Sequence, residues 1–345
     1  MSGTASPDYL LETRGIRQGF DAPVVACAFD RTGTTAAFAL GDGSVQLAVG
    51  GGWRGVAVHE GAILALAPDA AADGFVTGGD DGRLCRVASD GAASEIAGFG
   101  AMKWVEHVAT HPDGKGLRAC AVGRGVHVFD GAGTKLKELP HPSTVSGVTF
   151  DAKGKRVAAS HYNGASLWFV GAKEDKPRVL EWKGSHIGIA LNPAGDHVVT
   201  AMQENALHGW RLTDGQHMRM SGYPGKTRFM SFTKNGKWLA TSGAESVVLW
   251  PFFGGGPMGK APMELAGGDG VFCTAVACHP QHEAVAAGFD DGLIVLADIG
   301  SGRVLPVAEP GRSKVTALAW SPTGSHLAFG TEGGFCAVVD FSKRP

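Results

Sequence analysis

The sequence lacks any long hydrophobic run: no apolar stretch reaches about 18 residues, and no long segment repeats apolar residues at helical spacing. A membrane-spanning helix and a helical solenoid are therefore not predicted. The first residues, MSGTASP, also lack the charged segment followed by an apolar run that marks a secretory signal. The six cysteines are scattered without a C-x-x-C pair, which is typical of reduced thiols. We expect a cytoplasmic protein.

An excess of charge is also missing, because 31 Lys and Arg stand against 33 Asp and Glu, for a formal net charge of −2. General nucleic-acid binding is not expected, since it usually requires a strongly basic face. The sequence has no G-x-S-x-G nucleophile motif, and the glycine-rich segment 252–260 lacks the residue order of a phosphate-binding loop. We predict no enzymatic activity and no cofactor.

What the sequence does contain is a recurring turn between short apolar runs. In AAGFDDGLIVLADIGSG (286–302), the adjacent acids Asp290 and Asp291 precede Gly292. Such a pair could hold a metal or share a proton, but Asp-Gly between two strand-like runs is a strong hairpin signal. Similar stretches occur at 38–51, 76–91, 159–171 and 329–341. Because a catalytic acid pair would not need to be copied along the chain, recurrence favours the turn.

A second polar turn recurs earlier in each unit. Eight such marker turns begin at Asp30, Ala67, His111, Asp151, Asn192, Thr233, His279 and Ser321. Their mean spacing is about 42 residues, which lies in the range of a four-stranded propeller blade. Within a unit the apolar residues form short runs close to a period of two, so the chain is predicted to be all-β.

These units resemble the repeats of WD-repeat β-propellers. The resemblance rests on turns such as Ser321-Pro322-Thr323-Gly324 and on Asp-Gly pairs such as Asp81-Gly82, and it covers nearly the whole chain. The closing tryptophan of the family is present in only some units. The corresponding positions are Ala48, Val87, Phe129, Trp168, Trp210, Trp250, Ala297 and Val339. Units with a turn aspartate lack the tryptophan, so the family's polar network from histidine to tryptophan is complete in none.

We predict one closed β-propeller of four-stranded blades with eight blades, and seven is the alternative. Because the last unit ends after three strands, the strand-like segment 8–15 is expected to supply its outer strand and so avoid a free sheet edge. Residues 1–7 are expected to be flexible and 8–345 to form the propeller. The predicted blades are 22–59, 60–99, 100–140, 141–183, 184–223, 224–267, 268–311, and 312–341 plus 8–15.

The resemblance implies a non-enzymatic scaffold, expected to be a monomer, that binds a protein or peptide. WD-repeat relatives generally bind on the face built by the loops leading into the first strand and the turns joining the second and third strands. Trp104, Tyr162 and Arg228 are the first choices, because Trp, Tyr and Arg most often anchor interfaces. The other candidates on these loops are Lys103, Glu106, His186, Gln203, Glu204, Lys226, Phe272, Phe289, Asp290, Lys314 and Glu332. Asp42, Asp81 and Asp291 are expected to brace turns, with Asp290 free to point outward.

Two alternatives remain open at the level of sequence. Histidines or cysteines from different units could meet at the central channel and bind a metal, as in a metal-trafficking protein, although no single segment has metal-ligand spacing. His107 and His111, four apart in a predicted strand, lie roughly 13 Å apart and cannot share one ion. Alternatively, acids at the channel mouth could serve a propeller hydrolase or lyase.

Overall fold

The structure is a computed structural model that describes residues 8–112, 116–268 and 270–342. Its helix α1 (Leu10–Arg14) spans one turn, and among the described residues no helix is long and apolar enough to cross a membrane. All other regular structure in these described ranges is β. The strands are β1 (Gly15–Gly19), β2 (Val24–Phe29), β3 (Thr35–Leu40), β4 (Ser44–Val49), β5 (Gly52–Ala57), β6 (Ile63–Pro68), β7 (Phe75–Gly79), β8 (Arg83–Val87), β9 (Ala93–Gly98), β10 (Val105–His111), β11 (Leu117–Val122), β12 (Gly125–Phe129), β13 (Lys135–Pro140), β14 (Gly147–Phe150), β15 (Arg156–Phe169), β16 (Arg178–Leu191), β17 (His197–Met202), β18 (Ala206–Arg211), β19 (His217–Met220), β20 (Met230–Phe232), β21 (Trp238–Thr241), β22 (Ser246–Pro251), β23 (Met263–Gly267), β24 (Cys273–Cys278), β25 (Ala284–Phe289), β26 (Ile294–Asp298), β27 (Val304–Ala308), β28 (Val315–Trp320), β29 (His326–Thr331) and β30 (Phe335–Asp340).

Hydrogen bonds join these strands into seven antiparallel sheets. Six sheets have four strands, in the orders β2 to β5, β6 to β9, β10 to β13, β20 to β23, β24 to β27, and β28-β29-β30-β1. The remaining sheet has six strands, β14 to β19. The chain is thus an all-β propeller with four-stranded blades, and by sheet count it has seven blades. The expected eight blades are not supported, because the fourth and fifth sequence units lie in one sheet.

The six-stranded sheet arises from two 14-residue strands, each of which changes partner halfway. The first half of β15 pairs with β14 and its second half with β16, while the second half of β16 pairs with β17. Positive φ angles at Asn163 (66°), Gly164 (140°) and Gly184 (117°) bend the backbone at these changes. The eight marker turns count repeats along the chain, whereas the hydrogen bonds between strands define seven sheets. The two numbers differ because two repeats share one sheet.

Burial changes systematically from the first strand of a unit to the fourth. Second strands such as β3 and β7 are buried along their whole length, and fourth strands such as β5 are largely exposed. First strands such as β6 and β10 are half-buried. This gradient is expected when the faces of each sheet pack against neighbouring sheets and the first strands surround a central channel.

The marker turns are held by their first residue. The carboxylate of Asp30 accepts hydrogen bonds from the backbone N–H groups of Thr34 and Thr35 at 3.1 and 3.3 Å. Asp151 and Asn192 do the same for the residues four and five positions later. The short polar residues at these positions follow from this local bonding. Asp113 and Gly114 of the third marker lie outside the described residues.

The prediction that residues 8–15 form the closing outer strand was wrong in its boundaries. Leu10–Arg14 is helical, which suits the helix formers Leu, Glu and Arg, and Leu11 is buried in a core cluster with Ile294 and Val307. The outer strand is β1, which pairs with β30 from Gly15 opposite Val339 to Gly19 opposite Phe335. Residues 1–7 lie outside the described residues.

Consecutive units contact each other where only glycine fits. A Cβ on Gly288 would lie 2.5 Å from a methyl carbon of Val315 in the next unit, and Gly78 approaches Val105 equally closely. Gly330 of the last unit approaches Val24 of the first in the same way, at 2.3 Å. Each of these valines begins a first strand at a β-bulge, which turns its side chain towards the preceding unit.

A buried ion-pair cluster joins the first three units. The fully buried carboxylate of Asp69 accepts hydrogen bonds from Arg118 at 2.7 and 3.0 Å and from Arg86 at 2.6 Å. Arg31 of the first unit donates to the Asp69 backbone carbonyl at 2.6 Å. The segment 69–75 looks like an irregular turn in sequence, but its first residue bonds three arginines from three units.

Substituting Gly288 with Ala is expected to lower the free energy of unfolding by about 1–3 kcal/mol, because the added methyl group overpacks against Val315. Gly171→Ala is the matched control, since nothing lies within 4 Å of a Cβ at that position. Urea denaturation of both variants measures the difference. Equal stability of the two would show that this close contact does not limit the packing between units.

Removal of residues 1–19 deletes α1 and β1 and leaves β30 as an unpaired edge. We expect a lower melting temperature and concentration-dependent aggregation, because an exposed edge strand offers free backbone groups to other chains. Thermal melts and light scattering at several concentrations measure both effects. A truncated protein that melts and scatters like the full chain would contradict a stabilising role for β1.

Candidate partner-binding face

Two sets of loops lie at the end of the sheets opposite the marker turns. The leading loops precede the first strand of each unit, and the second turns join its second and third strands; together we call them the partner face. A Cβ on Gly82, in a second turn with φ of 79°, would lie 2.3 Å from the carbonyl oxygen of Gly100 in the next leading loop. A Cβ on Gly292 would lie 2.6 Å from the Cβ of Arg312 in the leading loop of the eighth unit. Second turns and leading loops of consecutive units are therefore in contact.

The aspartates of the second turns accept hydrogen bonds from the backbone two residues later. Asp42 accepts from the Ser44 N–H at 3.0 Å, Asp81 from Arg83 at 3.1 Å and Asp291 from Leu293 at 2.9 Å. Asp81 also bonds His59, whose second ring nitrogen lies 2.9 Å from the Thr77 hydroxyl. This local bonding accounts for aspartate before glycine in these turns.

Asp290 does not simply point outward, as the sequence suggested. It is exposed, but its carboxylate accepts a hydrogen bond from the Phe272 N–H at 3.0 Å, and its own N–H donates to the Phe272 carbonyl at 2.9 Å. The two adjacent acids therefore brace different segments. Asp291 stabilises its own turn, and Asp290 ties that turn to the leading loop of the same unit.

A pocket of about 350 Å³ opens on the partner face where the sixth, seventh and eighth sequence units meet. We call it the cationic pocket, and its described lining residues are Gly225, Lys226, Arg228, Ser242, Gly243, Phe272, Cys273, Thr274, Asp290 and Lys314. Five of these were predicted partner-binding residues. The structure thus brings together Lys226, Arg228, Phe272, Asp290 and Lys314, which come from four loops of three units.

The cationic pocket is held by hydrogen bonds between its loops. The Gly225 N–H donates to the Gly243 carbonyl and the Gly243 N–H to that of Cys273, each at 3.0 Å, so the sixth and seventh units are linked. The Ser242 hydroxyl accepts from the Phe229 N–H at 3.1 Å. Burial raises the pKa of the Cys273 thiol to about 12. At neutral pH this thiol stays protonated and is a poor nucleophile.

Other predicted residues are exposed on the same face but do not line this pocket. Trp104 is 54% and Tyr162 58% exposed, so neither packs between sheets. Lys103, Gln203, Glu204 and Glu332 are exposed, and Glu106 is half-buried. Sequence reasoning missed Met102, which is 89% exposed and has a positive φ of 65°. Its position next to Lys103 and Trp104, in the same leading loop, was the available signal.

Two predicted partner-binding residues are not on the surface. Phe289 is 1% exposed and belongs to a core cluster with Val285 and Val295. His186 is also 1% exposed, and its ring nitrogens bond the Thr200 hydroxyl at 2.7 Å and the Trp182 carbonyl at 2.9 Å. Both residues adjoin loops in sequence, but their side chains face the interior, so a partner cannot contact them.

Several histidines lie in the interior of the fourth and fifth units. His208 stacks on Trp182 with ring centroids 3.9 Å apart, and its Nε2 lies 2.9 Å from His217 Nδ1. The indole N–H of Trp168 donates to His141 at 3.1 Å. Within the described ranges, no group of three or more His, Cys, Asp or Glu side chains is placed to hold a metal ion. In the third unit, burial also lowers the pKa of His107 to about 4, so its imidazole is neutral at pH 7.

Comparison with known proteins shows the fold and little more. No protein-family model matches the chain. It is 26% identical over 233 residues to mouse telomerase protein component 1, a match that covers 65% of this chain and only 8% of that protein. The crystal structure of the computationally designed Ika8 protein is similar with a TM-score of 0.75 and 20% identity, over 94% of this chain and 98% of the designed one. The structural similarity shows the propeller fold alone.

The buried histidines predict that stability falls in mild acid. Burial lowers the pKa of His141 from 6.5 to about 4; burial, reinforced by His217, His186 and Arg219, lowers that of His208 to about 3. Below about pH 6.5 the unfolded chain binds protons that the folded state excludes, so the free energy of unfolding decreases as pH falls towards 4.

Urea denaturation across this pH range measures the slope. His141→Gln is expected to reduce it, whereas Lys153→Gln, at an exposed position that carries no histidine, is expected to leave it unchanged. An identical slope in the wild type and both variants would exclude His141 as a source of the acid sensitivity.

Proposed function

We propose that the protein is a non-enzymatic scaffold that binds a protein or peptide through the partner face. The observation that carries the proposal is the cationic pocket, where five residues chosen from sequence converge from three units. A rigid ring of sheets fixes these loops in place, so a partner does not have to order them on binding. Cytoplasmic location and a monomeric state are part of this proposal.

The exposed aromatic residues of the same face support the proposal. Trp104 lies in a leading loop and Tyr162 lies in β15 where this strand changes partner. Each is more than half exposed, while most other large apolar residues are in the core. Tryptophan, tyrosine and arginine are the residue types that contribute most to binding when a partner covers them. Trp104, Tyr162 and Arg228 are therefore the proposed anchors.

Quantitative affinity purification tests this proposal. Wild-type, Trp104→Ala and Arg228→Glu proteins are expressed as baits in cells of the source organism, and the captured polypeptides are quantified by mass spectrometry. We expect one or more specific polypeptides to be reduced about tenfold or more with the variants, because anchor residues dominate binding energy. Each variant should melt within a few degrees of wild type.

Lys153→Glu is the matched control, because Lys153 is an exposed cation in a marker turn at the opposite end of the sheets. It is expected to capture the same polypeptides as the wild type. Capture that is unchanged by both partner-face variants, or reduced equally by the control, would contradict binding through this face.

A further inference from the structure

The cationic pocket carries an uneven set of charges. Three cations, Lys226, Arg228 and Lys314, line it, and Asp290 is the one carboxylate among its described lining residues. In the described part of the chain, none of the three cationic side chains forms an ion pair. Asp290 has a structural partner, since it accepts the Phe272 N–H at 3.0 Å. The pocket therefore carries three cations against one carboxylate, so positive charge is in excess.

The three cations come from two leading loops that border the same pocket. Lys226 and Arg228 flank the buried Thr227 in one leading loop, and both are exposed. Lys314 is half-buried in the leading loop two units further on, where its carbonyl accepts the Glu332 N–H at 2.9 Å. Phe272 lies in the leading loop of the seventh unit and adds an apolar ring to the pocket lining.

We propose that the cationic pocket binds an acidic peptide segment of the partner, with Asp or Glu carboxylates against Lys226, Arg228 and Lys314. An apolar side chain of the same segment packs against Phe272. This inference rests on the proposed function and specifies the chemistry of its ligand. Arginine suits the role because its planar guanidinium binds a carboxylate with two hydrogen bonds.

The size and surroundings of the pocket favour a short peptide over a nucleic acid. Its volume of about 350 Å³ is at the small end of ligand sites and admits only a few side chains. The chain as a whole carries a net charge of −2, whereas nucleic-acid-binding proteins usually carry a marked excess of basic residues. An acidic segment matches the local charge of the pocket.

Fluorescence anisotropy with labelled peptides tests the proposal. The probe is a 12-residue peptide of about eight Glu with one central Leu, and the comparison peptides replace Glu by Gln or by Lys. At about 50 mM salt, we expect binding of the Glu peptide alone, weakening as salt is raised to about 300 mM because ions screen exposed charges. Arg228→Glu and Lys314→Glu should each raise the Kd about tenfold or more.

Lys153→Glu serves as the control with the same change in net charge at the opposite end of the sheets, and it should bind the Glu peptide like the wild type. Phe272→Ala should weaken binding of the Glu peptide but leave its salt dependence in place. Melting temperatures close to that of the wild type are required of every variant used.

Several results would overturn the proposal. Equal binding of the Gln peptide would show that charge is not recognised, and equal loss with Lys153→Glu would show that net charge alone matters. An oligo-dT strand that competes as well as the Glu peptide would point to a nucleic acid. If the Glu peptide does not bind while Arg228→Glu still abolishes capture of the cellular partner, the acidic ligand is wrong and the partner face stands.

Discussion

Close contact between consecutive units at glycine is the constraint on which the rest of this structure depends. Gly288 lies against Val315, and Gly330 lies against Val24 across the first and last units, at distances that leave no room for a methyl group. A hydroxyl reinforces each contact, since Thr274 donates to the Val315 carbonyl at 2.7 Å and Thr316 to that of Val24 at 2.6 Å. These contacts therefore set the distance between neighbouring sheets, and this distance in turn sets where the loops at the ends of the sheets lie.

The partner face follows from the same contacts. Because Gly82 and Gly292 bring each second turn against the next leading loop, loops that are distant in sequence become neighbours on one surface. Asp290 adds a bond within its unit that orients Phe272. The cationic pocket is the result: its charges are distributed over three units, and the hydrogen-bonded loops hold them without a ligand.

The interior polar residues serve the fold in a different way. His186 bonds the Thr200 hydroxyl and the Trp182 carbonyl, and Nε2 of His208 bonds His217; burial keeps the pKa values of His186 and His208 low. Asp69 binds three arginines from three units. Such bonds favour this arrangement of the sheets, because a buried polar group that loses its partner costs free energy.

Local bonding explains what the sequence by itself determined about this protein. The repeat, the all-β class and the braced turns at Asp42, Asp81 and Asp291 were predictable, because each turn is specified by residues two to five positions apart. The helix at Leu10–Arg14 was missed, since five residues give too little periodicity to separate helix from strand.

Tertiary structure decided the rest, because contacts between units have no signature in a single segment. The shared six-stranded sheet, the burial of Phe289 and His186, and the role of Asp69 all depend on which units pack together. The same holds for the pocket. Sequence placed Lys226, Phe272 and Lys314 on the right kinds of loop, but only the packing of three units brought their side chains around one cavity.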